Sequence, residues 1–486
     1  MWSMTSPGGT MMALQWIEDE FTTLELGDKR LNKRAAIIVE QISSVAASPP
    51  EACEVSSALE ATYRFMNNVR TEPKAILEAH HAATIQRIAQ RETVILAQDT
   101  TVVDLTKPNC QVKGAGPLEN NNKYGFFFHP LYAIDTDGIA LGLVDEVVWI
   151  RDPIRDDLTR KERKAIRRQD AYEEKESCRW LEMFQSGEQI ARANPATHFV
   201  HVADSESEIY ELLLEIEDQA ENHDFVLRVG QNRAIVSQDD QTTTVDDLLS
   251  KCEVLAEREV IVSQRVSMIC DETRPRRKAR DARNAKISIR ATAVTLKGPS
   301  RPGGRLPSVT LNVIEAVELD PPEGEDSIRW VLFTSLPIDS IVQIERAIQY
   351  YASRWGIELF FKTLKSGFGI EKLKYETIEG YLTAASLMFI AAWRVEHIKQ
   401  AARVDGSASC EKYFEANEWK PAYMVANKSK QLPVTAPSMG EFTLMLAKLG
   451  GYQNKKSQGP PGSTTIWRGL RKMEAYRDAY LAFGLS

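Results

Sequence analysis

None of the six cysteines in these 486 residues pairs with another as CxxC, and none has a histidine at zinc-ligand spacing. That excludes a zinc finger or ribbon and a disulfide scaffold. It suits free, mostly buried thiols at Cys53, Cys110, Cys178, Cys252, Cys270 and Cys410 in a reducing cytosol. His80 and His81 are adjacent, so a helix cannot turn both toward one metal ion. No hydrophobic run is long enough to span a bilayer; the most apolar window, 381–393, reads as a buried core helix. The opening MWSMTSPGGTMMALQW lacks the charged and then apolar regions of a signal peptide. A soluble, cytoplasmic protein without membrane attachment is expected. There is no internal repeat and no low-complexity tract.

Net positive charge is also lacking, since the formal charge is −8. Its distribution says more than its sum. Residues 160–168 (RKERKAIRR) hold six basic groups and one acid. Residues 274–290 hold eight basic groups and one acid, and residues 29–34 (KRLNKR) hold four basic groups. The chain is a patchwork with strong local positive regions, which serve either as solvated faces or as contacts to a polyanion.

Hydrophobic periodicity predicts helices over 13–90, interrupted by a Ser/Pro/Glu stretch at 43–54. The run TVILA at 93–97 reads as a buried strand with Asp99 just beyond it. Segments 126–134 and 139–150 read as a hairpin around Asp135-Thr136-Asp137-Gly138. A helix is expected over 174–193, a strand over 197–203 that delivers Asp204, a helix over 206–219 and a strand over 225–229. Between 232 and 330, β-type runs separated by Pro/Gly punctuation predict an antiparallel β insertion. A helix is expected from 341 to about 365, further helices over 376–402, and a helical remainder broken at 455–465.

On one helix, Tyr351, Arg354, Glu358 and Lys365 fall within an arc of about 60°, at ~100° per residue. Cationic groups flanking a carboxylate suit a phosphodiester held beside a metal-binding acid. The alternative is an i,i+4 ion-pair ladder of Arg354 with Glu358. Two strand-end aspartates, Asp99 and Asp204, add to Glu358 to make a three-carboxylate set. Hard Mg²⁺ prefers such oxygen ligands, and two ions ~3.5–4 Å apart activate the attacking oxygen and stabilise the leaving one. The order strand, hairpin, helix, strand, helix with a late acid is that of a ribonuclease H-like core.

These motifs are similar to those of the bacterial DDE transposases of the insertion sequence 4 family. The late motif Tyr-x2-Arg-x3-Glu-x6-Lys stands complete in YASRWGIELFFKTLK, the first in AQDTT with Asp99, and the second in VADSESEIY with Asp204. LGDKRLNKR (26–34) and ATYRF (61–65) resemble the family's end-binding region, FVLR (225–228) and RWVLFTS (329–335) the strands around its insertion, and LGGY (449–452) with Trp467 its dimerisation region. Glu358 stands 154 positions after Asp204, a gap the family fills with a β insertion.

The resemblance implies an α/β fold: a ribonuclease H-like catalytic core interrupted by an antiparallel β insertion, with helical N- and C-terminal domains. The implied division is 1–90 for end binding, 91–231 and 331–402 for the core, 232–330 for the insertion and 403–486 for dimerisation. It further implies cut-and-paste transposition with Asp99, Asp204 and Glu358 as catalytic metal ligands for two Mg²⁺ ions, Mn²⁺ substituting. No organic cofactor is expected. Tyr351, Arg354 and Lys365 would grip phosphates, Trp330 would stack a flipped base with Arg228 beside it, and Arg30, Lys33, Arg34 and Arg64 would bind the transposon ends. Glu206 and Glu208 are expected to be structural or to support Asp204. The implied partners are double-stranded DNA (inverted ends and target) and a second copy of the chain in the DNA complex, in a bacterial, nucleoid-associated setting. A ribonuclease H-fold nuclease or resolvase without strand transfer would keep the carboxylates but not need the whole Tyr/Arg/Lys set or Trp330. A non-catalytic regulator would tolerate loss of a carboxylate, and a glycosidase would show sugar platforms and no basic stripes.

Overall fold

The computed structural model describes residues 14–45, 56–107, 112–118, 122–152, 175–237, 243–262, 280–301, 304–455 and 459–484. The basic runs at 160–168 and 274–279, most of the break at 43–54, and Cys53, Cys110 and Cys270 lie outside the described residues.

In chain order, helices α1 (Gln15–Glu20), α2 (Lys29–Val45), α3 (Ser56–Met66) and α4 (Pro73–Ile88) come first. Strands β1 (Thr93–Gln98), β2 (Thr101–Asp104), β3 (Gly116–Pro117), β4 (Tyr124–Asp135) and β5 (Ala140–Trp149) follow. Next are α5 (Cys178–Ala193), β6 (His198–Ala203), α6 (Tyr210–Leu214), β7 (His223–Arg228), α7 (Val245–Lys251), β8 (Ala256–Val262) and β9 (Arg283–Leu296). The short strands β10 (Ser300–Arg301) and β11 (Gly304–Arg305) precede β12 (Val309–Leu319) and β13 (Arg329–Thr334). Helices α8 (Ile341–Ser353), α9 (Trp355–Lys362), α10 (Ile378–Val404), α11 (Ala416–Asn427), α12 (Met439–Leu449) and α13 (Ser463–Ala482) complete the described chain.

The chain divides into two compact units, residues 1–169 with 355–486, and residues 170–354. In the first, β4 pairs antiparallel with β1 (Val94 opposite Asp135) and with β5 on its other side (Phe127 opposite Trp149). The β4–β5 hairpin forms where expected, because Asp135 Oδ1 accepts from the Asp137 and Ile139 backbone N–H groups and Gly138 takes φ +91°. The apolar window at 381–393 lies in α10, and nearly every residue there is buried. No helix among the described residues is long and apolar enough to cross a membrane.

One anchor in this unit is polar. Glu20 of α1 is 1% exposed and sits between His80 and Arg87 of α4. His80 Nδ1 donates to Glu20 Oε2 at 2.5 Å while its Nε2 accepts the Leu143 N–H at 3.1 Å. The imidazole is therefore neutral, as burial also favours by lowering its pKa. Arg87 pairs with the other Glu20 oxygen, donates to the Leu141 carbonyl at 2.6 Å, and stacks over Trp393 of α10 at 4.1 Å. The adjacent His81 pairs instead with Glu146 at 2.8 Å, so the two rings have separate structural partners.

The C-terminal helices interlock through glycine. A Cβ on Gly469 of α13 would meet the Leu446 carbonyl oxygen of α12 at 1.8 Å, and one on Gly450 would meet the Thr465 carbonyl oxygen at 1.8 Å. These obstacles are backbone and cannot swing away. Gly469→Ala is expected to destabilise the first unit by about 3 kcal/mol, the upper range for an overpacked contact. Chemical denaturation checks it; an unchanged midpoint would show that the helices separate at no cost.

In the second unit β6 and β7 run parallel, with His201 opposite Phe225. The sheet then continues antiparallel through β13, β12, β9 and β8. The insertion expected over 232–330 is thus an antiparallel extension of the sheet, edge to edge with β7. Its core joins Trp180 and Phe184 of α5 to Phe225, Leu227, Val294, Leu311, Val313 and Phe333.

Three expectations need correction. The helix expected over 206–219 is broken into a 3-10 turn Ser205–Ser207, α6 and a second 3-10 turn Glu215–Asp218. Asp204 caps the first turn, and Glu208 is drawn away to bind the chain at 230–233. The helix expected over 341–365 is interrupted at Arg354, whose N–H bonds the Tyr351 carbonyl three residues back, and ends in a π-type turn Thr363–Gly367. Among the described thiols only Cys410 is buried, and burial pushes its pKa up to about 12; Cys178 and Cys252 are half-buried.

Candidate active site

β1 is held to β4 along its whole length, which brings Asp99 out immediately past a rigid strand end. Asp99 Oδ1 accepts the Thr100 N–H at 2.7 Å. The Thr100 hydroxyl bonds His129 Nδ1 at 2.8 Å, and His129 Nε2 donates to the Gln98 side-chain oxygen at 2.9 Å. Gln98 and His129 are fully buried. This polar ladder flanks Asp99 on both sides and fixes the turn that presents it. Sequence reading missed it because its members are 31 positions apart.

Glu358 is half-exposed on α9. The helix is fixed from beneath: Phe360 stacks on Tyr132 at 5.0 Å and Phe361 meets Phe128 edge-on at 6.4 Å, both partners lying on β4. Lys365 follows inside the π-type turn, its ammonium 3.5 Å from Glu371. Glu371 also accepts the Asp104 N–H at 3.3 Å, which links the turn to the end of β2. A π-type turn shifts the phase of every later side chain, so Lys365 is aimed by the turn rather than by an even helical spiral.

In the second unit, Asp204 ends β6 and its Oδ1 accepts the Glu206 N–H at 2.9 Å. Glu208, 5% exposed, accepts from the Gly230 and Gln231 N–H groups at 2.6 and 2.8 Å and from Arg233 Nε at 2.5 Å. It holds the chain beyond β7. Glu206 is exposed and pairs with Arg179 at 3.6 Å.

Arg228 is the last residue of β7 and stands opposite Leu332 of β13, so Trp330 lies at the same end of the sheet. The Trp330 and Tyr351 rings meet edge to face at 5.1 Å and 77°. The Arg354 guanidinium lies 6.0 Å from the Tyr351 ring. Burial raises the Tyr351 pKa, opposed by the nearby Arg354 and Arg228 charges, while Asp204 adds to the rise. Asp204, Arg228, Trp330, Tyr351 and Arg354 thus form one neighbourhood in this unit. Tyr351 is 4% exposed, so it is a packed member of that neighbourhood and not one stripe of an open helix face.

Of the other positively charged candidates, Arg30 is exposed and pairs with Asp28 at 3.0 Å, and Arg64 is exposed and pairs with Glu60 at 3.4 Å. Lys33 is exposed and Arg34 half-buried on α2.

The described residues contain no preassembled group of three or more His, Cys, Asp or Glu side chains that could hold an ion. Asp99 and Glu358 belong to one unit and Asp204 to the other. Each is half-exposed and offers oxygen alone, the donor chemistry a hard divalent cation prefers. The donor set therefore fits the metal that the motif order implies.

Strand-end carboxylates, a three-strand antiparallel meander and a parallel strand pair are the parts of a ribonuclease H-like core. Three family models match the chain: transposase DNA-binding over residues 13–71, transposase DDE domain over 186–394, and transposase Tn5 dimerisation domain over 390–482. The chain belongs to the DDE transposases of the Tn5 type, consistent with the insertion sequence 4 family. The DDE match contains Asp204 and Glu358, while Asp99 lies before its start. One similar solved structure is the cryo-EM structure of the piggyBac transposase synaptic complex with hairpin DNA, at 10% identity and a TM-score of 0.31. The likeness covers 86% of this chain and 65% of that one, so this chain spans just under two thirds of that protein's length.

Proposed function

We propose that this chain is a cut-and-paste DNA transposase. It binds transposon ends, nicks one strand, closes a DNA hairpin on the freed 3′-hydroxyl, opens the hairpin, and transfers the 3′-hydroxyl ends to target DNA. The observation that carries the reading is the ordered set of three carboxylates, two at strand ends and one on a helix, with Trp330, Tyr351, Arg354 and Arg228 gathered beside Asp204.

Asp99, Asp204 and Glu358 would hold two divalent cations, Mg²⁺ with Mn²⁺ as substitute. When bound, the metal activates the attacking oxygen and stabilises the leaving one. Arg354 and Lys365 bind phosphate oxygens and bring the scissile bond to the carboxylates. Tyr351 buttresses Trp330, whose indole takes a base unstacked during hairpin formation; stacking offsets an unstacking cost of a few kcal/mol. Each joining step exchanges one phosphodiester bond for another, so no protein nucleophile is required.

The helical N-terminal region supplies end binding. Arg30→Ala and Lys33→Ala are each expected to weaken binding to end duplexes and to reduce the salt slope of binding by about 1. Fluorescence anisotropy over a salt series checks this; unchanged slopes would remove both residues from the interface. The C-terminal region, residues 390–482, supplies the contact to a second copy on DNA.

The test uses the full chain, Mg²⁺ and a linear duplex carrying the inverted repeats that bracket the gene. Covalently closed hairpin ends followed by joined products are expected on denaturing gels. Nicks without hairpin or joined product would point to a nuclease or resolvase, and binding without any cut to a regulator.

A further inference from the structure

The π-type turn that carries Lys365 is tied at both ends to the C-terminal helix α13, through Glu396 of α10 at its start and directly just past its end. At its first residue, the Thr363 hydroxyl donates to Glu396 Oε1 of α10 at 2.5 Å. The same carboxylate oxygen accepts from the Ser463 hydroxyl, the first residue of α13, at 2.7 Å. Lys399 closes the group: its ammonium donates to Ser463 Oγ at 2.8 Å and pairs with the other Glu396 oxygen. Just beyond the turn, Phe368 packs against Trp467 at 4.8 Å, and its N–H bonds the Thr363 carbonyl at 2.9 Å. Ser463 and Trp467 stand four residues apart and so share one face of α13. Lys365 lies between the two grips.

The group is costly to bury. Thr363, Glu396 and Lys399 are 3%, 2% and 5% exposed. An ammonium and a carboxylate taken from water need tight geometry and full hydrogen bonding to recover the desolvation penalty. Apolar residues would pack α10, α13 and the turn together as well. Ions instead impose one arrangement, because a shift of the turn takes one of its hydrogen-bond donors from the buried Glu396 carboxylate. The cluster also joins two modules: Thr363 lies in the segment matched by the DDE model alone, and Lys399 and Ser463 lie in that matched by the dimerisation model alone.

We infer that the Glu396–Lys399–Ser463 cluster is a positioning device that sets the π-type turn, and through it the Lys365 ammonium, according to the placement of α13. The inference rests on the transposase reading, in which Lys365 binds phosphate near the cut. It predicts that weakening the cluster slows cutting without weakening end binding.

A double-mutant cycle tests it with the full chain on the duplex described above. Complexes are assembled without metal and started with Mg²⁺, and the rate of the first nick is followed in single turnover. Ser463→Ala is expected to slow the nick about tenfold with unchanged end affinity, and Ser463→Thr to restore it. In a Lys365→Ala background, Ser463→Ala is expected to slow the nick no further, because its effect passes through Lys365. Should Ser463→Ala not fold, Trp467→Phe, which loosens the other grip, enters the same cycle. Additive losses, or an unchanged nick rate in Ser463→Ala, would overturn the inference while leaving the transposase reading intact. A wild-type protein that cuts nothing would overturn that reading and this inference together.

Discussion

Replacing Asp99, Asp204 or Glu358 singly by alanine is expected to abolish nicking, hairpin formation and joining alike, while binding to end duplexes stays at the wild-type level. The expected loss in single-turnover rate is roughly three orders of magnitude or more. Metal-ion catalysis supplies several kcal/mol of transition-state charge stabilisation, and each ~1.4 kcal/mol is tenfold in rate. The three losses should not add, because one ligand missing already disrupts the site. The folds of the variants should survive: Asp99, Asp204 and Glu358 are half-exposed, and strand pairing and aromatic stacks outside them hold β1, β6 and α9. A variant that binds normally and still makes hairpins would remove that carboxylate from the chemistry.

The largest expected effect on stability lies at Glu20. Burial alone would raise its pKa, but the Arg87 charge and the hydrogen bonds from His80 and Arg87 outweigh burial and hold it below 4.5. Its folded-state pKa is depressed, so the stabilisation is present above pH 4.5 and lost as pH falls through the lowered value. His80 acts in the same direction. Its folded pKa is lowered from 6.5, so the unfolded chain takes up the proton first and stability begins to fall below that pH. Glu20→Ala leaves Arg87 without its buried carboxylate and should cost about 3–5 kcal/mol. Denaturation at pH 7, pH 5 and pH 3 checks both parts. The variant should unfold at much lower denaturant at pH 7, and between pH 5 and pH 3 the wild type should lose more stability than the variant does. Equal pH sensitivity would refute the role given to the pair.

Much of the fold is legible in the chain because local chemistry decides it. Asp135-Thr136-Asp137-Gly138 dictates the hairpin, since a carboxylate that binds the N–H groups ahead of it and a glycine at positive φ leave little choice. The two strand ends that deliver Asp99 and Asp204 follow from short β-branched runs. What local pattern cannot show is where a helix changes its hydrogen bonding. Nothing in YASRWGIELFFKTLK marks the tightening at Arg354 or the π-type turn at Lys365, because the whole segment favours helix. The four residues read as one arc therefore divide: Tyr351 packs on Trp330, while Glu358 and Lys365 sit on separate local supports.

Pairs made across long sequence gaps were equally hidden. Glu20 meets His80 from 60 positions away, and Ser463 meets Glu396 from 67. Each residue alone looks like an ordinary helix polar group. Glu208 was legible only in kind, as a support near Asp204, because its partners at 230–233 are fixed by the return of β7.

The proposed transposition requires Asp99, Asp204 and Glu358 to serve one metal-dependent reaction on DNA. Fe²⁺ substituted for Mg²⁺ in the assembled end complex, followed by ascorbate and peroxide, cleaves the protein backbone next to the bound ion. Three clusters of cuts are expected, near Asp99, near Asp204 and near Glu358, all suppressed by excess Mg²⁺. Cuts near Asp99 and Glu358 without any near Asp204, or cuts that excess Mg²⁺ leaves unchanged, would contradict it.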